Sequence, residues 1–361
     1  MPQLEHIVSI SPKEGIDVFN LDNGAHLRSI NIPAIGAPGA PVMLDEEHII
    51  LPQSDRAIML IINTKTGQVK MRSPLSELVR PLAVSAAKDY LAAGAASGKV
   101  YLWHVPTGEL VRVWDAHYKG VSALCFSDDD SFLFSGGDDG ILNVWTLGTL
   151  VDAMAEDATA RPAPTLEFSH HSLPITAIVC GAAVSGGGKL YTTSLDRSVK
   201  SYSLPARALL SSYSFPAAVT ALALDPAERF FVAAAADGNL YKYLLLAPTQ
   251  TDEGSAAVAG GNLWSALAAA TATNAAGAPV ASQGAGAAAS LAGAAAAASA
   301  SAARAAAQAS GLSFAGHTRE VTAVSLSYNG AVMVSASADG YVRRMPCYCF
   351  ICNVQVDIVH T

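Results

Sequence analysis

The sequence predicts an all-β fold, a seven-bladed β-propeller that is interrupted by one alanine-rich insert. Two observations predict it. A pattern recurs along the chain at roughly 42 residues, and each copy has a tight polar turn followed by a strand of alternating character. This period and this turn-strand order are typical of propeller blades with four strands each.

The copies are read from their turns and from the residue that closes each strand. The clearer turns lie in "SGKVYLW", "DDGILNVW", "LDRSVKSY", "ADGNLYKY" and "ADGYVRRM", and weaker copies lie in "KEGIDVF" and "SDRAIMLI". Where the interval is longer, it contains the insertion "GTLVDAMAEDATARPAPTLEF" or the alanine-rich block. Seven copies therefore predict a closed ring, with closing positions at Phe19, Ile61, Trp103, Trp145, Tyr202, Tyr243 and Met345.

The domain organisation follows from this spacing. We expect six blades within residues 1–247, an Ala/Gly/Ser-rich insert at 248–311, the seventh blade at 312–345 and a divergent tail at 346–361. The insert has no apolar stripe that would dock a helix, so we expect it to be flexible or partly helical. Its interpretation as a low-complexity expansion is favoured over that of an arm that binds a partner.

Composition excludes several classes of function. The formal net charge is -8 with a pI near 5.5, and no Lys/Arg cluster offers a face for nucleic acid. Neither a secretory signal nor a membrane-spanning segment is predicted. The odd count of five cysteines favours a reducing compartment, and Cys125 and Cys180 are interpreted as small buried apolar side chains.

One trio of residue types recurs at similar spacing and could be mistaken for a catalytic triad. The copies are His117, Ser135 and Asp139; His171, Thr192 and Asp196; and His317, Ser335 and Asp339. Three repeats of an active site in one domain would be unusual. We therefore interpret each trio as a hydrogen-bond network that satisfies polar groups buried between blades. The alternative is a hydrolase that uses His117, Ser135 and Asp139.

Each network is predicted to run from the aspartate through the histidine to the hydroxyl and then to an indole N–H. The pattern resembles the WD-repeat family, whose structural tetrad has these four members. The tryptophan is present at Trp145, whereas Tyr202 and Met345 replace it in the other two copies. Met345 has no donor, so the last tetrad is expected to be incomplete.

Other candidate sites are weaker. "SDDD" at 127–130 is interpreted as a polar hairpin turn and not as a metal site. The tail holds Cys347, Cys349, Cys352 and His360, but their spacing is not that of a common zinc finger. No phosphate-loop, metalloprotease or nucleophile-elbow motif occurs. We therefore predict no enzyme, no cofactor and no metal.

Longer stretches resemble one branch of the WD-repeat family. "AHYKGVSALCFSDDDSFLFSGGDDGILNVWTL", "SHHSLPITAIVCG", "LYTTSLDRSVKSYSL" and "GHTREVTAVSLSYNGAVMVSASADGYVR" are similar, in that order, to the WD-repeat subunits of the rixosome, a complex that remodels the maturing large ribosomal subunit. The resemblance implies a non-catalytic scaffold in the nucleolus and nucleoplasm, supporting internal-transcribed-spacer processing and also associated with DNA replication. Implied partners are a PELP-type and a second helical-repeat subunit, a midasin-type AAA ATPase and the pre-60S particle.

The chain departs from that family at both ends. After Arg343 it reads "RMPCYCFICNVQVDIVHT", without the helical extension through which family members dimerise, so we expect no dimer through that element. The first blade is expected to be incomplete, and "NVQVDIV" either serves as a closing strand or leaves an open edge. The alternative functions are a chromatin-associated scaffold or a ubiquitin-ligase receptor. The receptor is disfavoured because no "WDxR" motif follows Trp103 or Trp145.

Overall fold

Seven antiparallel sheets make up the part of the chain that the structure describes. This structure is a computed structural model, and it describes residues 6–11, 15–21, 24–30, 41–45, 47–53, 56–152, 162–181, 189–245, 312–347 and 356–359. These residues belong to one compact unit, Met1–Leu245 with Ser310–Thr361. A second unit, Leu246–Ala309, lies outside the described residues. The predictions for the Ala/Gly/Ser-rich insert at 248–311 therefore also lie outside them.

The first four sheets occupy the N-terminal half of the chain. The first has three described strands and the next three have four each, in the order inner to outer. Their bounds are β1 His6–Ser11, β2 Gly15–Asn20 and β3 His26–Ile30; β4 Val42–Met43, β5 His48–Pro52, β6 Ile58–Asn63 and β7 Val69–Pro74; β8 Val79–Val84, β9 Tyr90–Ala95, β10 Lys99–His104 and β11 Glu109–Asp115; β12 Val121–Phe126, β13 Phe132–Gly137, β14 Leu142–Thr146 and β15 Leu166–Phe168.

The last three sheets repeat the same order, and one short helix precedes them. Helix α1, Leu147–Asp152, begins the insertion that the sequence placed between two strands. The remaining strands are β16 Ile175–Cys180, β17 Lys189–Ser194, β18 Ser198–Ser203 and β19 Ala208–Ser214; β20 Val219–Leu224, β21 Phe230–Ala235, β22 Asn239–Leu244 and β23 Leu312–Ala315; β24 Val321–Leu326, β25 Val332–Ser337, β26 Tyr341–Pro346 and β27 Val356–Val359.

The predicted fold class is confirmed, because the seven sheets form the seven-bladed propeller. The seven closing residues read from the sequence all lie on equivalent strands: β2, β6, β10, β14, β18, β22 and β26. Apolar side chains between successive sheets build the core; Trp114 of the third sheet, for example, meets Trp145 of the fourth edge to face at 5.5 Å.

The ends of the chain meet through side chains. Phe19 and Leu21 of the first sheet share a buried cluster with Val342 of the last. Strand β27, which comes from "NVQVDIV", pairs with β26 of its own sheet and not with a strand of the first. The segment forms a strand, but among the described residues it extends its own sheet instead of pairing with the first sheet to close the ring. Apolar packing joins the first sheet to the last.

A repeated bulge links the inner strands of neighbouring sheets. The pairing register shifts at the start of β16 and β20, next to Thr176 and Thr220. The Thr176 hydroxyl donates to the Val219 carbonyl at 2.8 Å, and the Thr220 hydroxyl donates to the Val321 carbonyl. Each threonine therefore connects its own blade to the next one, a role that the repeat pattern alone did not indicate.

Candidate functional site

The fourth sheet brings together the four residues of the clearest predicted network. His117 lies in the loop that enters the sheet, Ser135 on β13, Asp139 in the turn after β13 and Trp145 on β14. His117 Nε2 is 2.9 Å from Ser135 Oγ, and the Trp145 indole donates to the same oxygen at 2.9 Å. His117 Nδ1 lies 3.1 Å from the Asp139 carboxylate.

A carboxylate can only accept and an indole N–H can only donate, and from these two ends we assign one direction of donation through the network. The indole N–H donates to Ser135 Oγ, the serine hydroxyl donates to His117 Nε2, and His117 Nδ1–H donates to Asp139. Every polar group in the chain of bonds has a partner, as buried polar groups require.

Asp139 also holds the backbone on both sides of the network. Its carboxylate accepts from the amides of Tyr118 at 3.2 Å and Ile141 at 3.0 Å. Burial by itself would raise the pKa of Asp139, but the hydrogen bond and charge of His117, with these amides, hold that pKa below its ordinary value. The carboxylate thus fastens the entering loop to the turn.

The fifth sheet contains the second trio with a different closing residue. His171 Nδ1 is 2.9 Å from Asp196, and His171 Nε2 is 2.7 Å from Thr192 Oγ1. Tyr202 takes the position of the tryptophan, but its hydroxyl makes no well-formed hydrogen bond there. Burial raises the pKa of Tyr202 to about 12 and lowers that of His171, which the Asp196 carboxylate opposes only in part.

The last sheet contains the third trio. His317 Nδ1 is 3.0 Å from Asp339, and His317 Nε2 is 2.8 Å from Ser335 Oγ. The closing residue, Met345, cannot donate a hydrogen bond, so Ser335 lacks the indole bond that Ser135 receives. Burial would raise the pKa of Asp339, but the amides of Thr318 and Tyr341 and the His317 bond leave it lowered.

The geometry resembles a catalytic triad, but its surroundings differ from those of an active site. A nucleophilic hydroxyl must reach its substrate, whereas Ser135 and Thr192 are each 0% exposed and Ser335 is 1% exposed. In the fourth sheet the indole of Trp145 also occupies the serine oxygen. As they stand, the three trios can hold loops to sheets and cannot present a nucleophile.

The sixth sheet shows what replaces the network where the histidine is missing. Phe215 takes the histidine position and packs edge to face on Tyr241 at 5.6 Å, while Ala233 takes the place of the serine. The turn aspartate, Asp237, accepts instead from the Tyr241 hydroxyl at 2.7 Å. Apolar and polar versions of the same corner therefore coexist in one ring.

The acidic run after β12 has a function in the fold that its sequence did not indicate. Asp129 accepts from Ser127 and Ser131 and closes the hairpin turn. Asp130 adopts a φ of 55° and accepts from the Ala86 and Ala87 amides of the preceding sheet, at 2.7 and 2.8 Å. One carboxylate in this turn therefore joins the third blade to the fourth.

The prediction that Cys125 and Cys180 are buried apolar side chains holds in part, because both pack against a core cluster. Cys125 and Cys180 are only half buried, and their sulfur atoms lie 3.4 Å apart because β12 and β16 are neighbouring inner strands. Cys347 is buried, while Cys349, Cys352 and His360 lie outside the described residues. Within the described ranges, no three His, Cys, Asp or Glu side chains form a group that could hold a metal ion.

No helix among the described residues has the length and apolar character needed to cross a membrane.

Comparison with known proteins defines the class. The family described as "WD domain, G-beta repeat" matches residues 108–146, which contain the fourth-sheet network, and 309–343, which contain that of the last sheet. The chain therefore contains WD repeats within a seven-bladed β-propeller.

Its similarity to particular proteins is more specific. The chain is 34% identical over 247 residues to Protein ROOT INITIATION DEFECTIVE 3 of Arabidopsis thaliana. The aligned region covers 65% of this chain and 54% of that protein. It is 36% identical over 150 residues to Pre-rRNA-processing protein IPI3 of Meyerozyma guilliermondii, covering 42% and 33%. It is 30% identical to human WD repeat-containing protein 18, covering 65% and 53%. The predicted resemblance is confirmed, although the matched regions span about half or less of these relatives.

Solved structures support the fold alone. A chain of the "Crystal Structure of Mitotic Checkpoint Complex" matches with a TM-score of 0.67 at 13% identity, covering 96% of this chain and 85% of that one. The "Crystal structure of RRP9 WD40 repeats" matches with a TM-score of 0.60 at 15% identity, covering 95% and 82%.

Proposed function

We propose that this chain is a non-catalytic scaffold subunit of a rixosome-type complex in the nucleus and nucleolus. Its task there is to support large-subunit maturation and removal of an internal transcribed spacer. The observation that carries the proposal is the similarity to a protein named for pre-rRNA processing and to WD repeat-containing protein 18. The partners proposed are the PELP-type and second helical-repeat subunits, the midasin-type ATPase and the pre-60S particle.

The burial of the three trios supports the non-catalytic part of the proposal. In each trio the hydroxyl is sealed inside a blade and hydrogen-bonded to its histidine. We assign the trios to the structural tetrads of the propeller, where they hold entering loops in fixed positions. Rigid loops on a rigid ring are the form in which propellers offer a binding surface.

We place partner binding on the face that carries the entering loops of His117, His171 and His317, called the histidine face from here on. In antiparallel sheets these loops and the aspartate turns lie at one end of the strands. Tyr118, next to His117, is 87% exposed there, and Leu173 is 48% exposed. Exposed aromatic and apolar side chains on ordered loops suit the apolar ridges of helical-repeat subunits.

The opposite face supplies a matched control. Tyr328 is 85% exposed and lies in the turn between β24 and β25, at the other end of the strands. The tagged chain and its Tyr118→Ala and Tyr328→Ala variants would be purified from cells that express them, and captured proteins quantified by mass spectrometry.

We expect the wild type to capture both helical-repeat subunits and the midasin-type ATPase. Tyr118→Ala should reduce that capture by about tenfold or more, as for a residue at the centre of an interface, and Tyr328→Ala should leave it unchanged. Capture of none of these proteins by the wild type would overturn the proposed function. Normal capture by both variants would overturn only the assignment of the histidine face.

A further inference from the structure

Two thiols meet where the inner strands of the fourth and fifth blades adjoin. Cys125 lies on β12 and Cys180 is the last residue of β16, and their sulfur atoms are 3.4 Å apart. The residues are 55 apart in the sequence, so the contact is created by the ring. Neither contributes to the hydrogen-bonded trios, and nothing in the proposed scaffold function requires a thiol at either position.

We propose that Cys125 and Cys180 form an oxidation site, a dithiol that converts reversibly to a disulfide bond between the two blades. A disulfide needs an S–S distance of about 2.05 Å, so the sulfur atoms must approach by roughly 1.3 Å. That distance lies within the reach of side-chain rotation. Both residues are partly exposed, but the sulfur atoms themselves are buried against the core, so a small oxidant reaches them through local opening between the two inner strands.

The environment differentiates the two sulfur atoms. The hydrogen bond between the two sulfur atoms, together with the Cys180 backbone N–H, lowers the pKa of Cys125 although burial opposes it. The same sulfur–sulfur hydrogen bond, with burial, raises the pKa of Cys180. Cys125 is therefore the nucleophile of the pair and Cys180 the resolving thiol. Cys347 offers a contrast, because burial raises its pKa to about 11.

Hydrogen peroxide is the oxidant that we assign to the site. The Cys125 thiolate attacks one peroxide oxygen, the O–O bond breaks, and sulfenic acid forms as the other oxygen leaves as water after protonation. The Cys180 sulfur then attacks the sulfenic sulfur, its proton goes to the departing oxygen, and a second water leaves. Two thiols lose two electrons and two protons, and one peroxide becomes two waters. A cellular dithiol reverses the step by thiol–disulfide exchange.

The test uses the full-length chain, treated with hydrogen peroxide, quenched with an alkylating agent and digested without reduction. A glutamate-specific protease is needed, because it separates residues 110–156, with Cys125, from residues 168–228, with Cys180. We expect one cross-linked pair of these peptides that dithiothreitol removes. The Tm of the oxidised chain should rise by about 5 °C or more, since a long loop is closed.

Two variants complete the experiment, one of them a control. Cys180→Ser should abolish the cross-link and leave Cys125 as a sulfenic acid that dimedone labels, whereas Cys347→Ser should leave the cross-link unchanged. Free, alkylated Cys125 and Cys180 after oxidation of the wild type would overturn the proposal. So would a disulfide that joins either of them to another cysteine. Peptide mapping of the wild type decides the matter even if a variant does not fold.

Discussion

The two serine-containing networks differ by one hydrogen bond, which allows their contribution to stability to be measured. Ser135 bonds both His117 and the Trp145 indole, whereas Ser335 bonds His317, and the closing residue of its sheet is a methionine that cannot donate. Ser135→Ala therefore removes two buried hydrogen bonds, and Ser335→Ala removes one. Each loss leaves a buried polar group without that bond, at a cost of about 1–2 kcal/mol.

We expect Ser135→Ala to lower the free energy of unfolding by about 3 kcal/mol and Ser335→Ala by about 1.5 kcal/mol. Ser97 provides a control, because it is exposed in the turn between β9 and β10 that corresponds to the Asp139 turn of the fourth sheet. Ser97→Ala should change the free energy of unfolding by less than about 0.5 kcal/mol. Equilibrium unfolding in urea, with the m-value compared between variants, measures each difference. Equal losses for the two buried serines would refute the assignment of the indole bond, and no loss for Ser135→Ala would refute the structural role of the network.

Three further predictions follow from single contacts. Gly140→Ala should lower the free energy of unfolding by about 3 kcal/mol and Gly108→Ala by about 1 kcal/mol in the same urea assay. Both glycines have a similar positive φ, but only a Cβ at Gly140 would meet the His171 carbonyl oxygen, at 2.8 Å. Equal losses of stability in the two variants would contradict this close approach. Asp130→Gly keeps the left-handed turn and removes the link to the preceding sheet, so it should cost about 1–3 kcal/mol, against a negligible effect of the exposed neighbour Asp128→Ala. Burial lowers the pKa of His171 from 6.5 in the folded chain, so below about pH 6.5 the unfolded chain binds more protons than the folded chain and Tm should fall as the pH drops. His171→Gln should make this fall of Tm smaller between about pH 6.5 and 5. The same dependence of Tm on pH in the variant and the wild type would contradict the burial of neutral His171.

The sequence was informative wherever one residue type recurred at one spacing. Polar tight turns and strand-closing residues at a regular interval located the equivalent strand of all seven sheets, including the weak copies around Phe19 and Ile61. The spacing of His117, Ser135 and Asp139 also identified side chains that the structure brings within hydrogen-bond distance. This periodicity is visible in the sequence because each blade buries side chains at equivalent positions.

Contacts between blades could not be read in this way, because they depend on the rotation between neighbouring sheets. The carboxylate of Asp130 reaches amides more than 40 residues earlier, and its sequence context shows only a polar turn. Cys125 and Cys180 each appear as an isolated apolar position until β12 and β16 are placed side by side. The bulge that turns the hydroxyl of Thr176 towards the next blade likewise has no signature in one copy alone.

We propose that this propeller supports processing of precursor rRNA by binding other subunits. The most direct measurement is the amount of precursor that retains the internal transcribed spacer, determined by hybridisation after depletion of the chain and re-expression of wild-type or Tyr118→Ala protein. We predict that the precursor accumulates on depletion, that the wild type removes it and that Tyr118→Ala, although stably expressed, does not. A normal level of the precursor in depleted cells would contradict the account.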